Sequence, residues 1–202
     1  MPMPLPKIVI ATHNPHKRDD LIHYVHHTFE CVPIADFTLH EPLETGETFE
    51  ANALLKARFS YDVTGLPSLA DDSGFCMKNL NGMPGIYAAR FAINNKGETD
   101  YLHAFNTLEQ QLGDQDPATD FVCTLVYKDA HGEKVFQGTV PGFFDFSKKH
   151  TPGFGYTPLF VPLENNPQKL SLADMGDPQR RTFSARKKAA FDFLQWVTQS
   201  KK

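Results

Sequence analysis

Near its beginning the chain carries the segment Lys7-Ile-Val-Ile-Ala-Thr-His-Asn-Pro-His-Lys17. Residues Lys7–Thr12 form an apolar, β-branched run that follows prolines and precedes Asn14-Pro15, a pattern that predicts a buried strand. Apolar residues then recur at helical spacing from Lys17 to His27 and predict a helix. We therefore expect strand–loop–helix, with the loop at the helix N-terminus.

The rest of the chain continues the alternation of strands and helices. Strands are predicted at Cys31–Ile34, Leu66–Ala70, Phe121–Tyr127 and Val135–Phe146, the last with a break at Pro141-Gly142, and helices at Thr48–Tyr61, Tyr101–Leu112 and Thr182–Thr198. The first two strands are expected to pair, and Thr48 is expected to cap its helix. This order predicts an α/β protein with a mixed central sheet. We expect one domain, residues 1–202, of two lobes with the active site in a cleft between them.

Composition excludes several classes of function. The chain has 20 basic and 24 acidic side chains, a net charge of −4 and 41% apolar residues. These values are typical of a globular protein and disfavour non-specific binding to nucleic acid or anionic membranes. We see neither a leader pattern nor an apolar run approaching the roughly 20 residues that span a bilayer. A cytoplasmic protein with free cysteine thiols is expected.

Two early segments could hold phosphate or metal. In the loop Thr12–Lys17, backbone N–H groups at a helix N-terminus, together with Lys17, could cradle a phosphate. The loop could equally be an ordinary turn, and it lacks the glycines of a Walker motif. In the segment Leu43–Glu50, Glu44 and Glu47 are hard oxygen ligands suited to Mg²⁺, and Lys56 could reach a phosphate. The alternative is an acidic helix start that interacts with the helix dipole.

The most informative segment is Ala70-Asp71-Asp72-Ser73-Gly74, expected to be a turn at the end of a strand. Adjacent aspartates repel each other unless a cation or hydrogen-bond donors compensate them. A carboxylate that faces both metal and water can ligate Mg²⁺ and accept a proton from the attacking water. The alternative is a surface turn, but the apolar residues on both sides of the segment favour function.

Two later segments could contact the rest of a nucleotide. In Pro152–Phe160, glycines on both sides of Phe154 would let the backbone approach a flat ligand, and Phe154 or Tyr156 could stack on a base. The alternative is an aromatic loop packed under the core. In Arg180–Lys188, arginine side chains could donate to carbonyl or phosphate oxygens, or the segment could be a solvated face.

Seven segments in this order resemble the inosine/xanthosine triphosphate pyrophosphatase family, which acts on non-standard purine nucleotides. They are Ala11-Thr12-x-Asn14-x-x-Lys17, Glu44-Thr45-Gly46-x-Thr48-Phe49, Asn52-Ala53-x-x-Lys56-Ala57, Ala70-Asp71-Asp72-Ser73-Gly74, Gly82-x-Pro84-Gly85-Ile86-Tyr87-x-Ala89-Arg90, Gly153-Phe154-Gly155-Tyr156-x-Pro158-Leu159-Phe160 and Ser184-x-Arg186. The matches cover nearly the whole chain. The resemblance implies a two-lobed α/β fold, a homodimer, and Mg²⁺-dependent cleavage of a nucleoside triphosphate to the monophosphate and pyrophosphate.

The resemblance also assigns roles to single residues. It implies that the phosphates are held by Thr12, Asn14, Lys17 and Lys56, that Glu44 and Asp72 bind the metal, and that Asp72 is the general base. It further implies substrate contacts from Ser73, Phe154, Gly155, Tyr156, Thr157, Arg180 and Arg186.

The chain departs from the family pattern mainly on the base side. Thr157 replaces the usual Asp, Ala185 the usual His, and Arg180 a usual Lys, while Ala51 stands where the family has Glu. Losing such groups should weaken selection for a 6-oxo purine by about 1–3 kcal/mol each where they are buried. The alternatives are a nucleotide-binding protein with weak hydrolysis, or a pyrophosphatase that prefers pyrimidines or other bases.

Overall fold

Six strands make one mixed sheet in the computed structural model, which describes residues 4–200. They are β1 (Lys7–Ile10), β2 (Glu30–Pro33), β3 (Ser68–Met77), β4 (Ala118–Asp129), β5 (Gly132–Phe144) and β6 (Phe160–Pro162), in the order β2-β1-β3-β4-β5-β6. Strand β1 pairs in parallel with β2 and β3, whereas β6 is antiparallel to β5. Strands β4 and β5 are joined by only two residues, a connection that makes them antiparallel. The α/β fold with a mixed sheet is confirmed, and so is the pairing of the first two strands.

The helices follow the predicted pattern with two additions. They are α1 (Pro15–Val25), α2 (Phe49–Thr64), α3 (Ala88–Phe91), α4 (Tyr101–Leu112), α5 (Asp177–Thr182) and α6 (Ala185–Ser200). The Thr48 side chain accepts a hydrogen bond from the Ala51 N–H and caps α2, as expected. The predicted start of the last helix at Thr182 is wrong, because α5 ends at Thr182 and α6 begins at Ala185. Ser184, which lies between them, is a residue type favoured just before a helix.

Strand β3 differs most from the expectation. It runs on through Asp71-Asp72-Ser73-Gly74 to Met77, so the predicted strand end at Ala70 and the turn after it are wrong. Cationic side chains compensate both aspartates, so their mutual repulsion does not prevent the strand from continuing.

Strand β5 continues through Pro141-Gly142, where a break was expected. The Pro141 carbonyl accepts from the Leu163 N–H, just past the end of β6. The N–H and C=O of one residue in an antiparallel strand point to the same side, so the N–H that proline lacks is not needed for pairing with β4.

The described residues group into two compact units. The first comprises the residues up to Asp72, Cys123–Gly138 and those from Arg186 onward, and the second comprises Ser73–Val122 and Thr139–Ala185. Within residues 4–200, no helix has the length and apolar character needed to cross a membrane. The ends of the expected domain 1–202, residues 1–3 and 201–202, lie outside the described residues. All three cysteines are free thiols, as expected.

Candidate active site

The loop between β1 and α1 is built by its own polar side chains. The Asn14 Oδ1 accepts from the N–H groups of His16 at 3.0 Å and Lys17 at 3.2 Å, and Thr12 Oγ1 accepts from the Asn14 N–H at 3.2 Å. Pro15 takes the first helical position, where a missing N–H costs nothing. The loop therefore has the predicted form of a capped helix N-terminus.

Lys17 extends from this loop toward the two aspartates of β3. Its Nζ lies 3.5 Å from Asp71 Oδ2 and 3.9 Å from Asp72 Oδ1. The predicted phosphate loop and the predicted catalytic carboxylate are thus neighbours in the first unit.

Lys56, on α2, joins the two predicted metal ligands. Its Nζ donates to Glu44 Oε1 at 2.8 Å and to Asp72 Oδ1 at 3.3 Å. Glu44 lies in the segment before α2, which has no regular structure, whereas Asp72 is in β3. The ammonium therefore brings together two carboxylates that are distant in sequence.

Asn52 is a residue of this cluster that sequence reasoning placed in a motif but not in the site. It is fully buried, its Nδ2 donates to Asp72 Oδ2 at 3.3 Å, and its Oδ1 accepts from the Gly46 N–H at 2.8 Å. A usable signal existed, because Asn52 and Lys56 are four residues apart and share one face of α2.

Asp71 is held by the guanidinium of Arg186. The Arg186 Nε and Nη2 donate to Asp71 Oδ2 at 3.2 Å and 2.9 Å, and Nη1 donates to Asp20 Oδ2 at 3.0 Å. Both residues of the pair are buried. Arg186, expected to contact substrate, is thus bound to carboxylates of the protein, and nothing in the sequence indicated Asp20 as its partner.

The two neighbouring aspartates have pKa values displaced in opposite directions. Burial alone would raise the pKa of Asp71, but Lys17 and Arg186 outweigh it and hold that pKa far below its usual range. Burial raises the pKa of Asp72, and Lys56 and Lys17 offset this only in part. Asp71 is therefore ionised at neutral pH, whereas Asp72 is the better proton acceptor, as divergent environments of paired carboxylates generally indicate.

In the second unit, the two aromatic residues predicted as alternatives for stacking on a base, Phe154 and Tyr156, have different environments. Tyr156 is buried among Phe75, Tyr101, Phe105 and Phe144 with ring centroids 5.5–6.1 Å away, and its hydroxyl donates to the Ala88 carbonyl. The packed-core interpretation thus describes Tyr156. Phe154 is 48% exposed as a residue and is the one of the two that can stack on a flat ligand.

Four more residues predicted to contact substrate, and Ala185, also lie in the second unit. Gly155 has φ +58°, which favours glycine, and the Thr157 hydroxyl donates to the Phe154 carbonyl at 2.6 Å. Arg180 pairs with Asp177 on the surface of α5. Ser73 is partly buried in β3, and Ala185 is fully buried, with no exposed surface where the family usually has an imidazole.

Comparison with known proteins identifies the family. The sequence profile of the Ham1 family matches residues 8–196. This chain belongs to the Ham1 family. It is 38% identical over 196 residues to a protein of Caulobacter vibrioides named dITP/XTP pyrophosphatase, covering 92% of this chain and 98% of that one. A Thermus thermophilus protein of the same name is 37% identical over 91% of this chain and 87% of its own length.

Solved Ham1 structures share the fold. A Ham1 protein from Staphylococcus aureus superposes with a TM-score of 0.82 at 32% identity, over 97% of this chain and 100% of that one. A HAM1 protein from Coxiella burnetii gives 0.84 at 26% identity, over 96% and 100%. The family predicted from the seven sequence segments is confirmed.

A metal ion in this Ham1 chain would have few protein ligands. The carboxylates of Glu44 and Asp72 converge on the ammonium of Lys56, and Lys17 also approaches Asp72, so their oxygens fit a site for a hard cation. Among residues 4–200, no three His, Cys, Asp or Glu side chains come together as a ligand set. Mg²⁺ is commonly held by one or two carboxylates completed by water and substrate phosphates, and these two residues match that pattern.

Proposed function

We propose that this Ham1 family protein hydrolyses non-standard purine nucleoside triphosphates, of the dITP and XTP type, to the monophosphate and pyrophosphate. The observation that carries the proposal is Lys56, whose ammonium bridges Glu44 and Asp72 while Lys17 approaches the same Asp72 oxygen. Relatives named dITP/XTP pyrophosphatase, similar over 92% of the chain, supply the substrate class. Cations to hold phosphates and a carboxylate to accept a proton are the groups that phosphoryl chemistry requires.

The phosphates would be held from two sides. The side chains of Thr12 and Asn14, at the positive end of the α1 helix dipole, would hold one part of the triphosphate. Lys17 and Lys56 would supply positive charge where negative charge develops as the bond to pyrophosphate breaks. Asp72 would accept the proton of the water that attacks the α-phosphorus.

Metal dependence is part of the proposal. The family generally needs a divalent metal ion, and we propose Mg²⁺, held by Glu44 and Asp72. When bound, Mg²⁺ would neutralise charge on the phosphate oxygens and help orient them.

A further set of residues would contact the base and the rest of the substrate. Phe154 offers an exposed ring for stacking, and Ser73, Gly155, Thr157 and Arg180 would complete the contacts with the substrate. Tyr156 would support this loop from the core, and Arg186 would act through Asp71 rather than on the base. We further propose that residues 1–202 act as one catalytic domain, in a cytoplasmic homodimer.

The test is pyrophosphate release from a panel of purine and pyrimidine triphosphates with Mg²⁺, with Asp72→Asn as control. We expect release from dITP and XTP above the standard triphosphates, and loss of release in the variant. If no triphosphate in the panel releases pyrophosphate, the proposed hydrolytic activity is refuted. Equal release from all would refute purine selectivity, and preferred release from pyrimidine triphosphates would favour the alternative specificity.

A further inference from the structure

Asn52 touches both segments that carry the acidic residues of the site. A backbone N–H can only donate, so the side-chain oxygen of Asn52 must face Gly46, 2.8 Å away. The amide nitrogen then necessarily faces Asp72 Oδ2, at 3.3 Å. The orientation of this fully buried amide follows from the chemistry of its partners.

Gly46 allows the close approach on one side of Asn52. A Cβ at this position would lie 2.7 Å from Asn52 Oδ1 and 2.7 Å from Ala51 Cβ, closer than real contacts. Glu44 is only two residues earlier in the same segment. The hydrogen bond from Gly46 therefore sets how far the Glu44 segment stands from α2.

The two oxygens of Asp72 have different partners. Lys56 and Lys17 both approach Oδ1, at 3.3 Å and 3.9 Å, whereas Asn52 approaches Oδ2. An incoming triphosphate is an anion that competes with Oδ1 for both lysines. It offers no comparable attraction to a neutral, buried amide.

We propose that Asn52 is a positioning residue, which holds Asp72 by Oδ2 and the Glu44 segment by Gly46 so that Asp72 Oδ1 is left to the attacking water. The inference rests on the proposed function. In the substrate complex the lysines turn to the phosphates, and Asn52 keeps the carboxylate in the orientation that the reaction needs.

The first test compares Asn52→Asp and Asn52→Ala with Ser60→Ala. Asn52→Asp keeps the size and the acceptor for Gly46 but puts a carboxylate against Asp72. Ser60 is the matched control, because it is also fully buried on α2 and bonds a β3 side chain, Ser68 Oγ, at 2.8 Å. Both Asn52 variants should lower kcat by about ten- to a hundredfold, the loss of a hydrogen bond to a charged group.

Binding and stability measurements separate a positioning role of Asn52 from a purely structural one. We expect KM, and the Kd of a non-hydrolysable inosine triphosphate analogue measured by calorimetry, to stay within about threefold of wild type in the Asn52 variants. We expect Ser60→Ala to lower the melting temperature while its kcat stays within about twofold, since a buried hydrogen bond contributes to stability in either place.

Gly46→Ala perturbs the hydrogen bond between Gly46 and Asn52 without changing Asn52. It tests the positioning role if the Asn52 variants do not fold. Its new methyl group displaces the amide oxygen, so kcat should fall with little change in the Kd of the analogue. Asn52 or Gly46 variants that turn over like Ser60→Ala would overturn the inference while wild type remains active. A wild type that releases no pyrophosphate overturns the proposed function instead.

Discussion

Arg186 and Asp71, 115 positions apart in the chain, form a buried ion pair in which two guanidinium nitrogens donate to one carboxylate oxygen. The next residue of the same strand, Asp72, is bound instead by Asn52 and Lys56 of α2. Successive side chains of a strand point to opposite faces, which is how neighbouring aspartates reach different partners. Strand β3 thus presents a structural anion and the proposed general base at consecutive positions.

Replacing the structural anion should destabilise the protein. Asp71→Asn keeps the shape but leaves the buried Arg186 with Asp20 as its remaining carboxylate partner, and breaking a buried pair costs about 3–5 kcal/mol. Denaturant unfolding measures the loss. The control is Arg58→Ala, which removes an exposed pair with Glu133 and should cost no more than about 1 kcal/mol. Equal losses in the two variants would contradict the buried role of Asp71.

The same pair predicts a pH dependence of stability. The pKa of Asp71 is lowered in the folded protein. Its contribution to the free energy of unfolding is therefore fully present above its unfolded pKa of about 3.9. That contribution is lost as the pH falls toward the folded pKa. The difference in unfolding free energy between wild type and Asp71→Asn should therefore be constant near neutral pH and shrink below about pH 4. Urea unfolding of both proteins from neutral pH to below pH 4 measures this difference. A difference that grows on acidification would contradict a lowered pKa of Asp71.

Lys56 should matter more for activity than another lysine of the same unit. Lys56→Met leaves Glu44 and Asp72 facing each other without the ammonium and removes a donor to the phosphates. We expect kcat/KM for pyrophosphate release to fall by about 100- to 1000-fold. Lys128→Met is the control, because that ammonium lies 5.0 Å over the ring of Tyr61, and kcat/KM should change by less than about twofold. A Lys56→Met enzyme with near-normal turnover would remove Lys56 from the mechanism.

Thr157 should set part of the base selectivity. Thr157→Asp supplies the carboxylate acceptor that the family usually has here, and should increase the kcat/KM ratio of dITP over dATP by about tenfold. Thr157→Val is the matched control, since it removes the hydroxyl bond to the Phe154 carbonyl without adding an acceptor. If both variants change the ratio alike, the effect comes from the loop and not from base recognition.

Local patterns predicted most elements of this fold. The helix Tyr101–Leu112 has the predicted bounds, Thr48 caps α2, and the first two strands pair, because periodicity, capping and β-branched runs act over a few residues. The polar segments around Lys17, Lys56 and Asp72 were also identified from the sequence. Their residue types carry the chemistry wherever the fold places them.

The amino-acid sequence therefore determines the elements, the Ham1 family and the chemical types of the site residues. Tertiary contacts alone determine that β3 continues through Asp71-Asp72, since the compensating Arg186 and Lys56 come from other parts of the chain. Tertiary contacts also determine that Tyr156 is buried whereas Phe154 is exposed, and that Asp71 and Asp72 have different partners and opposite pKa shifts. Burial and the approach of distant charges set these differences, and neither is encoded in the few residues around each position.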